Sequence, residues 1–326
     1  MVLGDSLAFL QNAVADESVD LIVTSPPYAL ITKKAYGNPD ADDYLNWLRP
    51  FVSQFHRVLK SSGSLVINIG GAWSPGLPTR SLVHLELPIV LCREFQFHLA
   101  QEFYWNDPSR LPGPAEWVTV RQIRAKDAVE PCYWFSKTAW PKAGNRRVRL
   151  PYSARMEALV RAGCKTQRRP SGHVVTERIA KDNGGSIASN LLTIANTAST
   201  SAYLRYCHKN GIRPHPARFP PELPEVFVRL TTDPGDLVLD PFAGSCVTGE
   251  VSERLGRKWI CVEQVEEYLR GAVGRFCDAA RDESKAKVSN VAYKVLHPGG
   301  LWDLPEGVPL RKDGGKGHHR RRKPKK

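Results

Sequence analysis

Two strand-and-turn units, one near each end of the chain, constrain its fold more than any other feature. Near the start, Val19-Asp20-Leu21-Ile22-Val23 is a short apolar run that stops abruptly at Thr24-Ser25-Pro26-Pro27-Tyr28. Such a run suits a strand buried in a parallel sheet, and two consecutive prolines make the turn after it rigid. Further on, Leu237-Val238-Leu239-Asp240 passes through Pro241-Phe242-Ala243-Gly244-Ser245 into a helix predicted over Val247 to Leu255, which stops at Gly256. That is the βα turn that cradles a nucleotide-like ligand at the C-terminal edge of an open sheet. The second strand of this unit, Lys258 to Val262, ends in Glu263. Together these units predict an α/β fold with a parallel sheet.

The segments between them follow the same grammar. Asp43 to Leu59 carries Tyr44, Leu48, Phe51, Phe55, Val58 and Leu59 at helical spacing and is expected to stop at Ser62-Gly63. Ser64 to Ile69 predicts the next strand, ending at Gly70-Gly71. Leu82 to Glu94 predicts a helix that Pro88 either kinks or begins. Phe97 to Trp105 and Cys132 to Ser136 predict further strands, Leu223 to Leu230 and Tyr268 to Ala280 further helices. From Pro141 to Pro214 basic residues, Gly and Ser dominate and periodicity fades, which predicts an inserted, less regular region. In it, Arg168-Arg169-Pro170-Ser171-Gly172-His173 and Lys181-Asp182-Asn183-Gly184-Gly185-Ser186 are expected to be loops. The expected division is a first catalytic part over 1–141, a substrate-recognition region over 142–210, a cofactor-binding part over 211–295 and a basic, disordered tail over 296–326.

Charge is unevenly placed along the 326 residues. The chain carries a net +13, yet 142–181 hold eleven Lys and Arg against two Glu, and 311–326 hold nine against one Asp. The rest of the chain is therefore mildly acidic. Two basic segments on an acidic body fit a polyanion binder, although a basic run can also be plain solvated surface. No stretch is long and apolar enough to span a bilayer, and Met1 to Leu10 contain no basic residue, so neither a membrane anchor nor a secretory signal is expected. The seven cysteines form no C-x-x-C pair, which argues against a zinc site or a disulfide framework and for a reducing compartment.

Each turn has a chemical reading. An acid about 20 residues after the first strand's end, as Glu263 is, suits the hydroxyls of an unphosphorylated ribose. A dinucleotide would fit that acid too, but G-x-G-x-x-G is absent and a pyrophosphate needs it. At the other turn, Pro26 and Pro27 lack N–H donors, so carbonyls are left to point outward as acceptors. Ser25 adds a hydroxyl and Tyr28 a flat ring. Acceptors beside a stacking face would hold an amino group on a planar ring. Taken singly, either unit could still be an ordinary strand-ending turn.

VDLIVTSPPY (residues 19–28) and LVLDPFAGS (residues 237–245) resemble the catalytic and cofactor motifs of amino-DNA methyltransferases, in the order of their β class. FYWNDPSRLPGPAEWV, RPSGH, KDNGGSI and HPARFPPELPE are similar to stretches of the class's cytosine-N4-specific modification enzymes, and the resemblance runs over roughly residues 4 to 278. It implies a Rossmann-like, S-adenosylmethionine-dependent methyltransferase fold with circularly permuted motif order and an inserted target-recognition region. It implies that Ser25 and the Pro26 carbonyl, in the Pro26-Pro27 turn, accept from the target amino group and that Tyr28 stacks on a flipped base. Asp5 of Gly4-Asp5 would contact the cofactor adenine. Asp240, Phe242, Gly244 and Ser245 would line the methionine and adenosyl pocket, Glu263 would bind the ribose, and His215 of His215-Pro216-Ala217 would close over the methionine end. Within the basic region, Arg168, Arg169, His173 and Lys181 are candidates for DNA contacts. No metal is implied.

The implied reaction is methyl transfer to cytosine N4 of double-stranded DNA after base flipping, inside a restriction–modification system. A restriction endonuclease would act on the same site without a stable complex, and the enzyme would be cytoplasmic and nucleoid-associated. Adenine N6 methylation and a catalytically inactive DNA-binding relative are the competing readings. Two departures stand out. Cys246 replaces the glycine that usually ends the family's F-x-G-S-G loop, and at positive φ that costs of order 1 kcal/mol. The chain also begins almost at Gly4-Asp5, which suggests a truncated or misassigned start. Cys132, in a Pro-Cys pair, is expected to be structural, in a buried strand far from the cofactor turn.

Overall fold

The structure is a computed structural model and describes residues 1–29, 39–41, 43–197, 201–276 and 294–295. In chain order these form β1 (Val2–Leu3), α1 (Ser6–Ala13), β2 (Val19–Thr24), α2 (Tyr44–Val58), β3 (Leu59–Asn68), α3 (Val83–Glu94), β4 (His98–Asn106) and β5 (Val129–Ser136). Then come α4 (Ala154–Ala162), β6 (Gln167–Arg168), β7 (Val174–Val175), β8 (Leu191–Thr193), α5 (Ala202–Lys209), α6 (Glu222–Thr231), β9 (Leu237–Asp240), α7 (Val247–Arg254), β10 (Lys258–Glu263), α8 (Glu266–Ala272) and β11 (Lys294–Val295). The large sheet has the order β11-β1-β10-β9-β2-β3-β5-β4-β8. Among the described residues, only the pairings made by β5 in it are antiparallel.

β2 and β9 lie side by side at the centre, with Leu21 opposite Val238 and Ile22 opposite Leu239. Every residue of both strands is buried, as a strand covered on two faces requires. Strand periodicity then sorts the core into two layers. Ile22, Leu65, Ile67, Tyr133, Phe135 and Leu239 face Phe9, Leu48, Phe55 and Leu87 of α1, α2 and α3. Leu21, Val23, Val66, Trp134 and Val238 face Leu223, Phe227 and Val251 of α6 and α7. Because β2 and β9 run the same way, their C-terminal turns emerge at one edge. That edge carries the candidate site.

The opposite edge is tied by a buried acid. Asp20 is almost wholly buried and takes Lys60 Nζ on both oxygens at 2.8 Å, while the Leu237 backbone N–H donates to Oδ2 at 2.9 Å. One carboxylate thus clamps β2, β3 and β9.

Several sequence expectations need correction. Ser62-Gly63 does not end a helix: α2 stops at Val58 and β3 begins at once with Leu59, which pairs with Val19. Residues 60–63 are a bulge inside β3, because β2 moves from Val19 to Leu21 while β3 moves from Leu59 to Ser64. The region 141–214 is less irregular than its composition suggests. α4 is capped by Ser153, whose Oγ accepts from Met156 N at 3.3 Å, and ends at Gly163 with φ 74°. α5 is capped by Ser201 in the same way. Arg168 is not in a loop but in a small hairpin with β7, turned at Gly172. Pro88 sits inside α3 and does not begin it. The helix expected over Tyr268 to Ala280 is α8 followed by a single 3-10 turn, Val273–Arg275; residues 277–280 lie outside the described residues, as does the expected tail over 296–326. Among the described residues no helix is long and apolar enough to cross a membrane.

Asp20→Ala should lower the unfolding free energy by about 2 kcal/mol, chiefly by orphaning the buried Leu237 N–H. Asp20→Asn should cost less, since its amide oxygen can still accept that bond. Urea denaturation of the two variants measures the difference.

Candidate active site

The two turns meet through a side-chain bridge. Thr24 Oγ1, the last residue of β2, donates to Asp240 Oδ1, the last residue of β9, at 2.8 Å. Thr248 Oγ1 of α7 donates to Asp240 Oδ2 at 2.7 Å, and Phe242 N donates to Oδ1 at 3.1 Å. Asp240 is 1% exposed. Burial raises its carboxyl to about 6 in spite of these three donors. The sequence places Asp240 in the lining of a pocket; the structure makes it the tie between the turns, with both oxygens engaged.

Around the second turn, Glu263 accepts from Gly244 N on Oε2 and from Val265 N on Oε1, each at 2.9 Å. Burial raises its carboxyl above the ordinary value. Gly244 has φ 51°, and a Cβ there would meet the His215 ring at 3.1 Å, so the turn and the imidazole need a glycine between them. His215 stands edge-on to Tyr268, with ring centroids 4.5 Å apart, and its backbone N–H donates to Tyr203 Oη at 2.7 Å. Burial drops the imidazole to about 4. Ser245 is buried, its carbonyl and hydroxyl taking Arg275 at 2.5 and 2.8 Å. Phe242 is half-buried and packs on Trp47 and Phe51 of α2, at 5.7 and 5.0 Å between centroids. Asp5 caps α1 by accepting from Ala8 N at 2.7 Å. Its neighbours reach the turn: Gly4 N donates to the Glu263 carbonyl and Ser6 Oγ to the Pro241 carbonyl. Asp5, Asp240, Phe242, Gly244, Ser245, Glu263 and His215 therefore gather at one end of β9 and β10. Cys246 has φ 59° and ψ 39°, the left-handed conformation expected of the family's glycine.

The first turn is backed by residues that sequence reasoning did not select. Ser25 Oγ donates to Tyr28 Oη at 3.3 Å, and Tyr28 Oη lies 2.8 Å from Glu130 Oε2 and 2.9 Å from Asn68 Oδ1. Pro26 is buried and Pro27 half-buried. The Tyr28 ring lies on Gly70, where a Cβ would come within 2.5 Å of it. Glu130, 7% exposed, also holds Arg110. Burial, and next the Glu130 charge, push the Tyr28 phenol well above its usual value. Asn68 ends β3 and Glu130 is the second residue of β5, so their meeting follows from the antiparallel pairing of Asn68 with Cys132. The one sequence signal was an acid before the apolar run Pro131 to Phe135. Cys132 is fully buried and burial raises its thiol, as a structural cysteine requires. It lies three strands from β9, away from the cofactor turn, and its Sγ is 3.4 Å from Asn68, the residue bonded to Tyr28 beside the first turn.

Arg168, Arg169, His173 and Lys181 are all exposed. The first three share the β6–β7 hairpin, where Arg169 N donates to the His173 carbonyl at 2.8 Å. Lys181 follows a 3-10 turn, Glu177–Ala180. Among the described residues there is no group of three or more His, Cys, Asp or Glu that could hold a metal ion.

A mostly parallel sheet whose two central strands end in turns joined by the Thr24–Asp240 bond, one carrying Ser25, Pro26 and Pro27 and one built around Gly244 and Glu263, has the architecture of a Rossmann-like methyltransferase domain. Residues 19–274 match the N6/N4 methyltransferase family model described as DNA methylase, and the chain belongs to that family. It is 45% identical over 300 residues to the type II methyltransferase M.PvuII of Proteus hauseri, covering 91% of this chain and 88% of that one. It is 28% identical to the DNA adenine methyltransferase YhdJ of Escherichia coli K12, covering 89% and 86%. Among solved structures it is similar to the PvuII DNA methyltransferase (cytosine-N4-specific), with TM-score 0.69, 41% identity and 86% and 87% of the chains covered. TTHA0409 of Thermus thermophilus, complexed with S-adenosyl-L-methionine, shares the fold at TM-score 0.54 and 23% identity, with 84% and 91% covered.

His215 gives a pH prediction. Its folded value, about 4, lies below its ordinary 6.5, so the unfolded chain binds the extra proton between those values. Its contribution to stability is present above pH 6.5 and lost as pH falls toward 4. Asp240, raised to about 6, works in the opposite sense and is untouched by a change at His215. The urea midpoint of His215→Asn should therefore fall less than the parent's between pH 6.5 and 4.

Proposed function

We propose that this chain is a site-specific DNA methyltransferase that transfers a methyl group from S-adenosylmethionine to cytosine N4. The observation that carries the reading is the Thr24–Asp240 bond, which holds an acceptor-lined turn against a ligand turn. The names of the PvuII relatives support the same substrate. Acting beside a restriction endonuclease on the same DNA site, without a stable complex, the enzyme would work in the cytoplasm at the nucleoid. We take 142–210 as the target-recognition region and the segments on either side as the catalytic and cofactor-binding parts.

The residues present suit the cofactor. The Gly244 cradle leaves no room for a side chain, the turn lacks the glycines a pyrophosphate needs, and Glu263 sits where ribose hydroxyls would meet an acid. Gly244, Ser245, Phe242, His215 and Glu263 would hold S-adenosylmethionine, with Asp5 toward its adenine. When bound, it supplies an electrophilic methyl group on a sulfonium.

The protein's own part is positioning. A cytosine must leave the duplex to reach this edge, since a stacked base cannot enter it. Ser25 Oγ and the Pro26 carbonyl would then accept from the amino hydrogens, and Tyr28 would lie against the ring. The N4 lone pair is delocalised into the ring, so acceptors that draw on its hydrogens help the nitrogen pyramidalise. Orienting the amino group toward the Gly244 turn supplies most of the remaining rate. The displacement needs no covalent enzyme intermediate, and Cys132, fully buried in β5 three strands from β9, is read as structural.

Adenine N6 is the second reading, since the chemistry is the same and an adenine enzyme is among the relatives. Ser25 favours cytosine, because adenine enzymes more often carry Asp or Asn at that position.

Nucleoside mass spectrometry of DNA incubated with the enzyme and S-adenosylmethionine should find N4-methylcytosine; N6-methyladenine instead would reverse the choice of base. Ser25→Ala should lower kcat about 100-fold with DNA binding retained. Arg168→Ala with Arg169→Ala should weaken DNA binding and reduce its salt dependence by about one to two phosphate contacts. Electrophoretic mobility shifts at several salt concentrations measure this.

A further inference from the structure

We propose that Glu130 is a positioning residue that sets the direction of a hydrogen-bond chain ending at the target amino group. The chain runs Ser25 Oγ to Tyr28 Oη at 3.3 Å and Tyr28 Oη to Glu130 Oε2 at 2.8 Å. A phenol has one proton to give. Two acceptors are in reach of it, the neutral Asn68 Oδ1 at 2.9 Å and the carboxylate at 2.8 Å, and a charged acceptor makes the stronger bond. Tyr28 therefore donates to Glu130 and turns a lone pair toward Ser25. Ser25 gives its only proton to Tyr28, and what it then has left for the pocket are lone pairs. An amino group can only donate at its hydrogens, so the match with Ser25 depends on that direction.

Without the carboxylate, the order can reverse. Tyr28 can then donate to Ser25, and the Ser25 proton is free to turn into the pocket and oppose the N–H of the base. The surroundings keep the chain in place: the ring is seated on Gly70, and Glu130 spends its other oxygen on Arg110, which compensates the buried charge. Asn68 Nδ2 approaches Glu130 Oε2 at 3.4 Å and holds it from the side. A carboxylate needed only to pair with Arg110 would have no reason to place its second oxygen against Tyr28.

The inference rests on Ser25 being the acceptor, as proposed above, and the variants separate the two. Glu130→Gln keeps the shape and removes the charge; it should lower kcat about tenfold, the loss of one charge-assisted bond, with KM for DNA close to the parent's. Tyr28→Phe keeps the ring and cuts the chain, and should lower kcat by a similar factor. In the Tyr28→Phe background, Glu130→Gln should then cost less than about twofold, because the two residues act through one path. Equal cost of Glu130→Gln in both backgrounds would overturn the proposal, and so would parental kcat in Tyr28→Phe, which needs no change at Glu130 and decides the matter if the glutamine variant fails to fold. Ser25→Ala with parental kcat would instead remove the acceptor reading itself.

Discussion

A single buried carboxylate organises the site edge. Asp240 receives Thr24 from β2, Thr248 from α7 and the backbone of Phe242 from its own turn. Without it, two buried threonine hydroxyls and a backbone N–H would each need a new partner, in a place with little access to water. Parallel pairing of β2 with β9 brings the turns to the same edge, but pairing alone leaves their mutual orientation loose. The carboxylate removes that freedom. Asp20 does the corresponding work at the other edge, so the two central strands are tied by an acid at each end.

The two turns are built for different tasks by the same means. In one, Pro26 and Pro27 withhold donors; in the other, Gly244 withholds a side chain and Glu263 takes the backbone N–H groups. Each makes one kind of group scarce, and each is held from behind by buried polar residues whose hydrogen bonds are satisfied. Cys246 is the exception in this economy. It keeps the left-handed conformation of a glycine and bears the strain of a Cβ, about 1 kcal/mol or more, while its thiol is fully buried.

Much of this could be read from the chain. β2, β9, β10, α6 and α7 fall where alternation, apolar runs and stop residues put them, because each carries its signal within a few residues. Ser25, Tyr28, Gly244 and Glu263 were legible for the same reason: a turn of prolines or glycine leaves a local mark. The end of α2 was not, since Ser62-Gly63 has the look of a helix stop and only the pull of Val19 on Leu59 turns it into a bulge. α4 and α5 hid in a basic, Gly-rich composition that masks their serine caps.

What the sequence determined by itself is the sheet's central strands, the kind of turn that ends them and the residue types those turns carry, because these depend on spacing over ten residues or so. What only the tertiary structure decided is which distant groups complete them. Glu130 reaches Tyr28 because β5 runs antiparallel to β3, and Thr24 meets Asp240 because β9 returns beside β2 after most of the chain has passed. Such contacts are fixed by strand order and register, which are properties of the whole sheet and leave no mark on any one segment.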